Sequence, residues 1–334
     1  MAEVGLGQLV TTTGRARSRV LKDSVSDNHP VMAMMKETKG IKREDGGRTI
    51  IQENKAYQNP TVGWVGESGQ VPLSDVPVID SPEFDWKYLL GSVVFTIAER
   101  LKNSGGSDTK FIDLIAGKFE VLEDTSMNIF HSGLLSNGTG AGGLQLGGLA
   151  LLVSKTPTTG TVGGINRANA DAAWFRNQAF NTATDWTNGS VNAGNVKAFL
   201  DKGINSTTRG TDKPTCGLMG QTHWEALTSA LQAMQIIQNE SGTGKAGFDK
   251  MVYRGVPIFY GGGISFSGEA LVGATDTYLL NTKPNYINIT FHKQAEFTML
   301  EELQSFDQAV ISRLMFTMAN MVLGFAKGQW VGFD

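Results

Sequence analysis

The chain has 334 residues, a formal net charge of −3, 41 glycines against 9 prolines, and one cysteine. That length buries a sizeable core in one or two domains, and the near-balanced charge gives no global argument for nucleic-acid binding. The lone Cys216 excludes an internal disulfide framework and a multi-thiolate zinc site, and no apolar run approaches the roughly eighteen residues of a membrane span.

The first residues lack the basic-then-apolar pattern of a secretory signal, so a soluble protein made in the cytosol is expected. Residues 1–46 show no sustained periodicity and carry Arg15, Arg17, Arg19 and Lys22, then Lys36, Lys39, Lys42 and Arg43. The expectation is an extended basic arm with at most a short helix over 31–39. With so few large apolar residues, it is either disordered or laid across a partner. Two strand-like runs follow, 48–57 and 84–96, separated by a polar segment punctuated by glycine and proline. Paired as a hairpin, each arm with its share of the tip would reach up to roughly 65 Å, further than one globular domain covers. The tip is acidic, with Glu67, Asp75, Asp80, Glu83 and Asp85 and no Lys or Arg between Glu67 and Asp85. A basic arm and an acidic finger suggest head-to-tail pairing between copies, although the same charges suit a solvated loop.

Residues 107–135 read as one long amphipathic helix. Phe111, Ile115, Phe119, Leu122, Ile129 and Phe130 make an apolar stripe broken only at Ser126. Ser107 or Asp108 suits the N-cap and Asn137-Gly138 the exit, giving a strut of roughly 43 Å. The glycine-rich run 137–148 then leads into a region of alternating strand and helix signals over about 146–265. These are a short strand or helix at 149–153, helical spacing at Val196, Phe199 and Leu200 and again at Trp224, Leu227, Leu231 and Met234, and strands at 215–220, 251–254 and 256–260. The last third is strand-like, at 287–291, 297–300, 310–317 and 321–325. A sheet built from it would cover the stripe of the strut.

Catalytic and cofactor motifs fail on context. Gly138-Thr139-Gly140-Ala141-Gly142-Gly143 matches G-x-G-x-x-G, but it follows a helix where a dinucleotide loop must follow a strand. Gly242-Thr243-Gly244-Lys245 lacks the first glycine of a phosphate loop, with Asn239 there, and Ala246 replaces its magnesium-binding hydroxyl. His29, His131, His223 and His292 have no second ligand at helical or hairpin spacing. There is no G-x-S-x-G elbow, and Glu301 and Glu302 would point to opposite faces of a strand. The expectation is no enzyme, no cofactor and no metal.

Gly163-Gly164-Ile165-Asn166-Arg167, followed by Trp174-Phe175-Arg176-Asn177, is similar to a GGI-x-R … W-x-R-N signature of one branch of phage shell proteins. With the order arm, hairpin, long helix, glycine-rich α/β region and closing strands, the whole chain resembles the major capsid proteins of tailed bacteriophages. The resemblance implies an α+β, Hong Kong 97-like capsid fold. Its parts would be an N-arm at 1–46, an extended loop at 47–100, a peripheral domain with the spine helix at 101–145 and 271–334, and an axial domain at 146–270. It further implies self-assembly into pentamers and hexamers of an icosahedral head around non-specifically enclosed double-stranded DNA, in the virion after assembly in the host bacterial cytoplasm. Portal, scaffolding and decoration proteins are the other partners of such a shell. Arg15, Arg17, Arg19, Glu67, Asp75, Asp80, Trp174 and Arg176 are the candidate inter-subunit residues. The chain departs from the pattern in having no long scaffolding region before the arm and no identifiable Lys and Asn pair for cross-linking, so a shell without cross-links is expected. A cellular nanocompartment of encapsulin type is the alternative within the fold. A nucleotide-binding α/β enzyme would rest on the two rejected glycine motifs.

Overall fold

The computed structural model describes residues 29–55, 57, 59, 61–67, 69–70, 78–103, 114–232, 250–263, 271–304 and 308–334. Arg15, Arg17, Arg19, Asp75, Phe111, the expected helix start at 107–113 and the Gly242–Lys245 motif lie outside the described residues.

The described chain begins with a helix built into the core. Pro30 presets the first turn of α1 (Pro30–Glu37), and Val31, Met32, Met34 and Met35 all turn inward. Each such burial contributes roughly 1.5–3 kcal/mol. β1 (Ile41–Glu44) then runs parallel to the segment Ile287–His292, with Ile41 opposite Ile289. Within the stretch expected as an arm, residues 29–44 thus pack on the rest of the chain, through the buried apolar side chains of α1 and the pairing of β1.

The finger forms as a hairpin, but a shorter one than its two runs suggested. β2 (Thr49–Ile51) and β3 (Asn54–Lys55) lead out, and β4 (Ile79–Asp80) and β5 (Glu83–Asp85) return, with Ile50 opposite Phe84 and Asn54 opposite Asp80. Trp86 ends the ribbon: its ring is buried and its Nε1 donates to the Gly47 carbonyl at 3.1 Å. β6 (Lys87–Thr96) therefore leaves the finger and enters a sheet. After α2 (Ile97–Asn103) comes the strut α3 (Leu114–Leu135), whose 22 residues span roughly 33 Å.

The remaining strands are β7 (Thr161–Val162), β8 (Ile165–Asn166) and β9 (Gln178–Asn181). Helix α4 (Val196–Thr207), β10 (Cys216–Met219) and α5 (Gln221–Gln232) follow. Then come β11 (Lys250–Tyr253), β12 (Val256–Tyr260), β13 (Asp276–Leu280), β14 (Ile287–His292), β15 (Thr298–Met299), β16 (Leu303–Gln304), β17 (Val310–Leu323) and β18 (Trp330–Phe333).

Among the described residues these strands form two six-stranded sheets and three two-stranded ribbons. In the first, β17 carries β14, β15 and β16 along one edge and β6 along the other, and β1 lies beyond β14. The second runs β11-β12-β10-β13-β18-β9. β13 and β18, placed with the closing strands by the expected boundary at 270, are in the middle of this second sheet. Their pairing explains it: β13 is fully buried and bonded to β10 on one side and β18 on the other.

The strut lies on the first sheet. Phe130 stacks on Phe291 with ring centroids 5.4 Å apart and meets Phe297 edge-on at 5.4 Å. Phe119 and Leu122 pack on Val93, Phe95 and Ile311. The gap in the stripe at Ser126 is the crossing point. Ser126 is buried, and a Cβ at Gly91 would stand 2.5 Å from Leu122 Cδ1, so two small residues let helix and strand approach. Ile129, expected in the stripe, is exposed. α4 and α5 cover the second sheet, with Phe199 edge-on to Trp330 at 5.1 Å.

Candidate assembly surfaces

The base of the finger is held from below by the GGINR…WFRN stretch. Gly163 has φ +56°, and a Cβ there would lie 2.8 Å from Pro82 Cβ and 3.0 Å from Phe84 Cζ, so only glycine lets this loop seat on the ribbon. Its carbonyl accepts from Glu83 N at 3.0 Å. Arg167 is wholly buried, donating to the carbonyls of Leu151 at 3.3 Å and Leu152 at 2.7 Å and lying over the Phe175 ring. Burial pulls its pKa down to about 10. Arg176 donates to the carbonyls of Arg167, Ala168 and Asn169, and Asn177 is bonded both ways to the Ser154 backbone.

Of the residues singled out as contacts, Trp174 is 7% exposed, packed on Phe175 and edge-on to Tyr57 of the finger. It and Arg176 thus hold the loop from within the chain. Glu67 stands exposed at the tip, and Asp80 is half-buried, accepting from Ser81 N at 2.9 Å.

Two apolar surfaces stand out that the sequence reading did not single out. At the tip, Val62 is 82% exposed, Trp64 fully and Val65 by more than half. On the first sheet, Tyr88 and Leu90 are 62% and 61% exposed, with Val94 beside them. The run KYLLGSVVFT is apolar on both faces, so its alternation did not reveal that α3 covers only one. Leu89, Val93 and Phe95 pack inward, and Tyr88, Leu90, Ser92 and Val94 face outward.

The arrangement nearest to a catalytic one is Thr277, His223 and Asp334. His223 Nδ1 is 2.8 Å from Thr277 Oγ1, and Nε2 is 3.5 Å from Asp334 Oδ2. Both Thr277 and His223 are sealed from solvent, and Asp334 also accepts from Thr182 Oγ1 and Val191 N. Desolvation, the dominant cause, lowers the His223 pKa against the pull of Asp334. This is a network that ties the 182–191 loop to β13 and to the residue after β18. His29 and His131, far apart in sequence, stack at 4.7 Å where the strut meets the start of α1. Among the described residues no group of three or more His, Cys, Asp or Glu is placed to hold a metal, and no helix is long and apolar enough to cross a membrane.

No family profile and no curated protein sequence matches the chain. Solved structures do. A subunit of the capsid asymmetric unit of cyanophage A-1(L) superposes with a TM-score of 0.70 at 14% identity, covering 96% of each chain. A subunit of the holo-encapsulin complex of Synechococcus elongatus matches with a TM-score of 0.56 at 9% identity, over 100% of this chain and 95% of that one. A Mycobacterium phage Adephagia chain matches with a TM-score of 0.55 at 13% identity, over 99% of this chain and 97% of the other. The chain has the α+β, Hong Kong 97-like fold of phage capsid and encapsulin subunits.

Proposed function

We propose that this chain is the major capsid protein of a tailed phage, a structural subunit that assembles with copies of itself into hexamers and pentamers of an icosahedral head enclosing double-stranded DNA. The observation that carries the reading is the finger: a braced ribbon ending in a fully exposed Trp64, on a fold known from shells. An isolated domain gains nothing from such a tip. Between copies, its apolar side chains become buried. Rotationally repeated, head-to-tail contacts of this kind close into rings. Arg15, Arg17 and Arg19 on one copy and Glu67, Asp75 and Asp80 on the next supply the electrostatic share of that contact, while Trp174 and Arg176 support it by holding the finger's base. The slightly acidic net charge of −3 suits a wall that encloses DNA without binding it through many phosphate contacts. Portal, scaffolding and decoration proteins complete the set of partners, and the fully assembled site is the virion.

The encapsulin likeness supports a second reading, a nanocompartment shell with protein cargo. Negative-stain electron microscopy with sedimentation of the protein, expressed alone and with its neighbouring genes, tests both. Closed shells, rings or tubes are expected. Particles enclosing a co-purifying enzyme would favour the compartment. A monomer or dimer at every salt and protein concentration would overturn the shell reading.

A further inference from the structure

Among the described residues β6 is an edge strand, and the direction of its unused hydrogen bonds follows from its register. Lys87 to Thr96 pair with Ala319 to Val310 of β17. One rung further along, Ile97 N donates to Ala309 O at 3.1 Å, so odd-numbered residues of β6 bond inward to β17. The opposite edge of β17 agrees: Leu300 N donates to Leu314 O and Met318 N to Ala295 O, which turns the even residues of β17 away from β6. Even residues of β6 therefore turn their N–H and C=O groups to the free edge. Thr96 confirms the parity, since its N–H leaves the sheet and is taken by Glu99 Oε2 at 3.0 Å. Among the described residues, the backbones of Tyr88, Leu90, Ser92 and Val94 have no such taker. These same residues present the exposed apolar face, and between Lys87 and Glu99 there is no charge, proline or bulge to blunt the edge.

The finger tip is its counterpart. Asn59 Oδ1 accepts from Thr61 N and Oγ1 and fixes the start of the tip, after which Gly63, Trp64 and Val65 make no backbone hydrogen bond among the described residues. No charge stands between Lys55 and Glu67. Residues 61–66 and the free edge 88–94 both extend roughly 20 Å at ~3.3 Å per residue. Within one chain neither covers the other, since both remain exposed.

We infer that the tip segment 61–66 of one copy adds as a strand to the free edge of β6 in the next copy, laying Val62 and Trp64 across Tyr88, Leu90 and Val94. This rests on the shell reading above and gives its finger a specific seat: an apolar, backbone-bonded one, with the acidic residues at the margin. Each copy then has one donor and one acceptor, and the contact repeats without being self-complementary.

Cysteine pairs test it in assembled particles of the full chain. The background is quiet, since Cys216 is the only native cysteine and is buried. Val62→Cys, which keeps Trp64, is combined in turn with Leu90→Cys, Ser92→Cys and Val94→Cys, and with Val121→Cys on the exposed side of α3 as control. A disulfide-linked ladder from at least one β6 pair, in particles but not in unassembled protein, is the expected result. Particles with no β6 ladder overturn this seat and leave the shell reading standing. The absence of wild-type particles overturns the shell reading itself. Ser92→Pro gives a second readout. It removes an outward N–H that the chain's own sheet does not use, so the monomer keeps its fold and thermal midpoint while particle yield falls at least about tenfold. Wild-type yield from a folded Ser92→Pro protein refutes strand addition.

Discussion

The base and the tip of the finger are joined by a short ribbon yet obey opposite rules. At the base, Ile50, Phe84 and Trp86 are buried, Gly163 admits the loop beneath, and Asn320 Nδ2 donates to the Asp85 carbonyl at 2.7 Å. At the tip, Trp64 is bare, and Gly63, Trp64 and Val65 make no backbone hydrogen bond among the described residues. The base is packed within the chain that carries it, while the tip leaves its apolar side chains exposed. Substitutions should therefore change monomer stability at the base and association at the tip.

The largest effect is expected from Phe84→Ala, which empties a site packed on Gly163. Unfolding of the unassembled chain by urea should show a loss of about 3–5 kcal/mol, and a loss below about 1 kcal/mol would show that the base is not braced. Next comes Arg167→Ala. It strands the Leu151 and Leu152 carbonyls and removes the layer over Phe175, for an expected loss of about 1–3 kcal/mol.

His223 extends the contrast to pH. Its folded pKa lies below the ordinary value of ~6.5, so the unfolded chain takes up the proton first. The stability from burying a neutral ring is complete above that ordinary value and is lost as pH falls below it. Thermal midpoints measured from pH 7.5 down to 5.5 should drop more steeply in the wild type than in His223→Gln, and equal slopes would remove His223 from the account. The smallest effect on the monomer belongs to Trp64→Ala, within about 0.5 kcal/mol, although particle yield should fall. A large loss of monomer stability there would break the division between base and tip.

Much of this architecture was legible because it is periodic. Phe119, Leu122 and Phe130 announced the strut, Ile50 and Phe84 the ribbon, and the apolar runs after residue 285 the sheet beneath. What failed depended on pairing at a distance. Nothing local in Ile41–Glu44 shows that it will lie beside Ile287–His292, and nothing in Asp276–Leu280 shows which sheet it joins. Trp174 and Arg176 entered only as candidate contacts between copies, and nothing in their local pattern showed that Tyr57 and nearby backbone carbonyls would engage them within the chain. The outward side of β6 was hidden by its own composition, since a strand with two apolar faces gives no clue which one the helix will take.

The pairing of β6 with β17 joins residues more than 200 positions apart, and that of β1 with β14 does the same. Such contacts form late, because a long loop must close before either strand is rewarded. On a ribosome, the finger emerges early but has no sheet to stand on until the residue-319 end of β17 has been made. β6 likewise is not yet an edge, because there is no sheet for it to border. The edge inferred above to receive a neighbour's finger therefore exists only once β17 has been made and has paired with β6.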